Sequence, residues 1–88
     1  MDEQNREKLI ELFRAVLDLD SDEAATAAHQ DSEERWDSLN HVRLILAIES
    51  EFGIEVELVE SMAQTSFEST CALLTAKGIP VAQGEPST

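Results

Sequence analysis

The segment from about Ser38 to Phe52 limits the fold more than any other part of this 88-residue chain. Leu39, Val42, Ile45, Leu46, Ile48 and Phe52 recur at helical spacing and cover most of the circumference. Asn40, Arg43, Ser50 and Glu51 form only a narrow polar stripe. A helix this apolar is stable in water only when it is covered on more than one side. Gly53 follows as a C-terminal stop, since glycine accepts the left-handed conformation that ends helices. The segment therefore predicts the central helix of an all-α bundle, with Leu46 and Phe52 in the core. A chain of this length supports one core and leaves little room for a deep, water-excluding pocket.

The flanking segments supply the packing partners. Between Glu3 and Leu17, the residues Leu9, Leu12, Phe13, Val16 and Leu17 share one face while Glu7, Glu11 and Arg14 fall among the polar positions, the mark of an amphipathic helix. Ile54 to Val59 alternates apolar and acidic residues, but the sequence offers no second strand to pair with it, and a lone strand is unstable. It reads as an extended loop entering a short helix, about Leu58 to Ala63. A last helix starts near Thr65, with Thr65 as N-cap and Glu68 completing a capping box. Phe67, Cys71 and Leu74 recur on one of its faces, and Lys77 with Gly78 closes it. Cys71 is the only cysteine and reads as a small core residue.

Asp18 to Trp36 carries no apolar stripe, although its alanines permit a helical turn between Asp22 and Ala28. A connection this long in a small domain is usually functional or disordered. Ile79 to Thr88 holds both prolines and one of the three glycines, which suggests a flexible tail. The expected architecture is a four-helix bundle over residues 1–78, with a long first connection, a short third helix and a tail over 79–88.

Charge narrows the function. Nineteen acidic residues against six basic ones give a formal charge of -13. Phosphate-rich nucleic acid and anionic membranes both require a basic face. A monomer meeting partners with basic patches suits this charge better. Arg6, Lys8 and Arg14 lie near the start, leaving the rest nearly all acidic around Arg35, Arg43 and Lys77. The opening MDEQNREKLIELF lacks the basic end and unbroken apolar run of a signal peptide, and a cytoplasmic location is expected.

The junction Arg35-Trp36-Asp37-Ser38-Leu39-Asn40-His41 is where chemistry is expected. If Asp37 caps the central helix, Ser38 occupies the first helical position with its hydroxyl free. The positive end of a helix dipole favours a phosphate ester there. Ser38 could equally be the cap itself, and local physics does not separate the two.

Trp36-Asp37-Ser38-Leu39, followed by Val42, Leu44, Ile45, Ala47-Ile48-Glu49 and Glu51-Phe52-Gly53-Ile54, resembles the acyl carrier protein family. The likeness spans about Arg35 to Val56 and combines Asp-Ser-Leu with the right helix and the right helix exit. It implies an acyl-carrier-protein-like bundle in which Ser38, beside Asp37, receives 4'-phosphopantetheine from coenzyme A through a phosphopantetheinyl transferase. It further implies an acyl- or aminoacyl-loading ligase or transferase and downstream synthase enzymes as partners, and a chain that is not itself an enzyme. By position, Trp36, Leu39, Asn40, Val42, Arg43 and Glu49 fall in the recognition region. Asn40 and Arg43 stand where the fatty-acid type has acidic residues, which points to a specialised polyketide, nonribosomal peptide or related pathway. Trp36 also reads as a hydrophobic lid packing the long loop on the bundle, and Arg43 as a solvated charge pairing with residues such as Glu51.

Other chemistries fit poorly. Asp18, Asp20 and Asp22 resemble the start of an EF-hand loop, but Glu23 and His29 stand where Gly and a bidentate Glu are needed. Asp37, Ser38 and His41 at one helix start cannot readily supply a triad's geometry, and His29 reads as solvent-facing. The competing reading is an acidic interaction domain with the same fold, no phosphopantetheine and a purely structural Ser38.

Overall fold

A computed structural model describes residues 2–81. Five helices run through this range: α1 (Asp2–Leu17), α2 (Asp22–Thr26), α3 (Ser38–Phe52), α4 (Leu58–Met62) and α5 (Phe67–Ala76). The all-α expectation holds; the long connection contains an additional short helix. None of these helices is long and apolar enough to cross a membrane.

The core centres on Phe13 of α1. Its ring meets Trp36 edge-on at 5.4 Å and Phe67 at 5.1 Å, the geometry that aromatic quadrupoles favour. Leu9, Leu17, Leu44, Ile48 and Leu74 surround this trio and are fully buried. One residue each from α1, the long connection and α5 thus meet at one point, and α3 packs against them.

The long connection is held along its length. After α1, Asp18 takes the left-handed conformation, and the Arg14 guanidinium binds the Asp20 carbonyl at 3.1 Å and the Asp22 carboxylate at 2.9 Å. Asp22 therefore serves a structural ion pair, which counts against the EF-hand likeness. Ser21 caps α2 through the Ala24 amide. The chain then pairs briefly with the start of α5: the Gln30 amide donates to the Thr65 carbonyl at 2.8 Å and the Phe67 amide to the Ala28 carbonyl at 3.2 Å.

Four expectations change. Leu46 is 57% exposed, and its place in the core is taken by Leu44 on the opposite side of α3; Phe52 is half-buried at the core's edge. The N-cap of α5 is Ser66, whose hydroxyl accepts the Ser69 amide while Ser69 reaches back, so Ser69 replaces Glu68 in the capping box. Thr65 cannot lead the helix because its carbonyl is committed to Gln30. The expected tail starts too early: Ile79 packs on the core, Val81 is 4% exposed and Asn5 donates to the Pro80 carbonyl at 2.7 Å. The rest of that tail, 82–88, lies outside the described residues. Finally, Glu51 lies beside Lys8 at 3.8 Å, and Arg43 makes no ion pair among the described residues.

Candidate functional site

The start of α3 is built to leave one hydroxyl free. Asp37 is extended (φ -92, ψ -176) and its carboxylate accepts the Asn40 amide at 2.9 Å, satisfying one of the unpaired donors of the first turn. Ser38 follows as the first helical residue. It is exposed, and its hydroxyl makes no hydrogen bond among the described residues. The choice between cap and acceptor is thereby narrowed, since Asp37 does the capping. A phosphate ester on this oxygen would meet the positive end of a fifteen-residue helix.

The turn before Ser38 is fixed from both sides. The Asn40 side-chain amide donates to the Arg35 carbonyl at 2.8 Å, and the Arg35 guanidinium donates to the Asp18 carbonyl at 2.6 Å. Trp36 is 3% exposed. In this position it packs the long connection onto the bundle, the lid role, and its ring is not presented at the surface. Its indole N–H donates to Nδ1 of His41 at 3.0 Å. Nε2 of His41 in turn reaches the Ser61 carbonyl at 2.9 Å and the Ser61 hydroxyl at 3.2 Å.

An open groove of about 390 Å³ adjoins the serine, lined by Ser38, His41, Val42, Leu58, Ser61 and Met62 together with Gln30. Around it lies an apolar surface: Leu39, Val42 and Leu46 form an exposed row on α3, and Leu58, Val59 and Met62 project from α4. Exposed apolar residues gathered in this way usually mark an interaction site.

The expected recognition residues divide into two groups. Leu39, Val42 and Arg43 are exposed on the flank of α3. Asn40 and Glu49 are half-buried and hold the backbone, Asn40 at Arg35 and Glu49 through its carboxylate, which accepts the Val56 amide at 2.8 Å. Sequence reasoning did not assign Leu58, Val59 and Met62 to the site. Their spacing was a usable signal, because a five-residue helix with three large apolar side chains and no buried residue must present them outward.

Cys71 lies in the core, where burial pushes its thiol up to about 11. A group this far from ionisation is a poor nucleophile at neutral pH.

The sequence matches the family model for the phosphopantetheine attachment site over residues 7–74. No curated protein and no solved structure gives a significant match. The match takes in most of the chain, from α1 through most of α5. The chain belongs to that family, whose members carry a covalently attached 4'-phosphopantetheine and act as carriers of acyl groups.

Proposed function

We propose that this member of the phosphopantetheine attachment-site family receives its prosthetic group on the Ser38 hydroxyl and presents the loaded arm to enzymes that dock on α3 and α4. The observation that carries the reading is the free, exposed Ser38 hydroxyl beside a cap made by Asp37. The residues present fit such a group. The oxygen is unengaged, the helix terminus favours a phosphodiester, and the adjoining groove has an apolar lining that part of a tethered acyl chain can contact.

When bound, 4'-phosphopantetheine supplies a thiol that holds acyl groups as thioesters. The chain's own residues do the rest. Asp37 holds the helix start in register, and Trp36 and Asn40 fix the turn that displays Ser38. Tethering raises the concentration of cargo at a docked enzyme without any new contact to the cargo itself. Docking partners of matching chemistry are a phosphopantetheinyl transferase, a loading ligase or transferase and downstream synthases. Leu39, Val42, Leu46, Leu58, Val59 and Met62 would supply apolar contact, with a strongly acidic chain around them. Asn40 and Arg43, standing where the fatty-acid type has acidic residues, favour dedicated enzymes of a specialised polyketide, nonribosomal peptide or related pathway.

Intact mass after incubation with coenzyme A, magnesium and a broad-specificity transferase tests the assignment. The wild-type chain gains one phosphopantetheine and Ser38→Ala gains none. No gain with several such transferases would favour the armless interaction domain instead.

A further inference from the structure

Helix α4 forms one wall of the groove beside Ser38, yet it buries none of its side chains. Apart from the bond from the buried Gln64 side chain to the Glu60 carbonyl at 2.9 Å, two polar connections tie it to other helices. Glu60 pairs with Lys77 of the α5 C-cap at 2.8 Å, and Ser61 meets His41 of α3. The second connection depends on the state of one imidazole. An indole N–H can only donate, so the 3.0 Å contact from Trp36 requires a bare lone pair on Nδ1 of His41. The ring proton then sits on Nε2, where it can donate to the Ser61 carbonyl at 2.9 Å. The Trp36 and His41 rings are within 23° of coplanar, which suits an in-plane hydrogen bond.

We propose that His41 is a positioning residue whose uncharged, Nε2-protonated form latches α4 to the start of α3 and so sets the groove beside Ser38. Adding a proton at Nδ1 places two N–H groups head to head. The Trp36–His41 contact is lost, the imidazole turns away from Ser61, and α4 keeps its tie to Lys77 and the bond from the Gln64 side chain to the Glu60 carbonyl. Histidine is the side chain suited to such a proton-driven change, and the latch opens when falling pH delivers a proton to Nδ1. The consequence for a tethered cargo rests on the carrier reading of Ser38; the latch itself does not.

Before α3, Arg35 holds the Asp18 carbonyl and Asp37 caps Asn40. On α3, Arg43 is exposed without an ion pair among the described residues. At α4, Glu57 is exposed, and the carboxylate of Glu60 binds Lys77 and the Glu57 amide. The Lys77 pairing holds Glu60 below the usual carboxylate value, so this second tie does not titrate in the histidine range. In the long connection, the other histidine, His29, lies 3.8 Å from Asp31.

Nuclear magnetic resonance on the isotope-labelled, unmodified full chain tests the latch apart from any prosthetic group. At high pH the His41 ring shows a bare Nδ1 and a protonated Nε2. As pH falls from about 8 to 5, the Trp36 indole N–H, the His41 ring and the amides of α4 shift with one common midpoint. The same response persists in His29→Gln. In His41→Gln, whose amide can accept from Trp36 and donate to Ser61 without titrating, the indole and α4 signals stay fixed. The proposal is overturned by α4 amides that stay fixed in the wild type over this range. It is likewise overturned by a response that survives His41→Gln or disappears in His29→Gln, or by a ring protonated at Nδ1 at high pH. Mass gain at Ser38 is read separately, so either reading can fail while the other stands.

Discussion

The Asp37 carboxylate accepts the Asn40 amide at 2.9 Å across the first turn of α3, and the residue between Asp37 and the rest of the helix, Ser38, is left with a hydroxyl unengaged among the described residues. Cap and acceptor are thus two residues, and their substitutions separate. Asp37→Ala removes the cap and lowers stability by about 1 kcal/mol, a fall of roughly 4–8 °C in the melting midpoint for a domain of this size. Ser38→Ala leaves the midpoint within about 0.5 kcal/mol of wild type while abolishing the mass gain. Thermal melts of the two variants check this, and a large loss for Ser38→Ala would return the capping role to the serine.

Phe13 holds the aromatic cluster together, so Phe13→Ala should cost about 3–5 kcal/mol. Leu46→Ala, on the exposed row of α3, should stay within about 0.5 kcal/mol. Urea melts give both values. Equal losses at the two sites would contradict the orientation of α3.

Lowering pH tests the Glu60–Lys77 pair. The Lys77 ammonium, with a contribution from the Glu57 amide, depresses the Glu60 carboxyl in the folded state. A depressed carboxyl stabilises the fold fully above its unfolded value, near 4.5, and loses that contribution as pH falls through the folded value. Lys77→Gln should remove this part of the acid dependence and leave stability at neutral pH only slightly changed. Acid titrations of wild type and variant, followed by circular dichroism, compare the slopes.

Val81 and Ile79 close one end of the core. A chain ended after Gly78 should be less stable than one ended after Val81 by about 2 kcal/mol, the order expected for burying a single valine with a partly buried neighbour. Denaturation of the two truncated chains decides the matter; equal midpoints would mean that residues 79–81 add nothing.

Much of this was legible in the sequence, and the misplaced parts share a physical cause. Helix α1 has one apolar face and could be oriented from its pattern alone. Helix α3 is apolar nearly all round, so periodicity located it without showing which side faces inward; the buried row is Leu44, Ile45 and Ile48, and the exposed row is Leu39, Val42 and Leu46. Asp37-Ser38-Leu39 stands out through its resemblance to a family motif, whereas local physics leaves open whether Asp37 or Ser38 is the cap. Ser66 was passed over for Thr65 because the deciding bond, from Gln30 to the Thr65 carbonyl, joins residues far apart in the chain. The connection between α1 and α3 looked unstructured because its restraints come from Arg14, Arg35 and the start of α5. Composition also concealed Ile79 and Val81 among prolines and small residues.

The chain contains one tryptophan and no tyrosine. That tryptophan lies two positions before Ser38, edge-on to Phe13 and bonded to His41. Its ultraviolet emission therefore reports from a single known place next to Ser38. If an arm is attached at Ser38, that step and the later arrival of cargo can each be timed by light, with no label added and no residue changed.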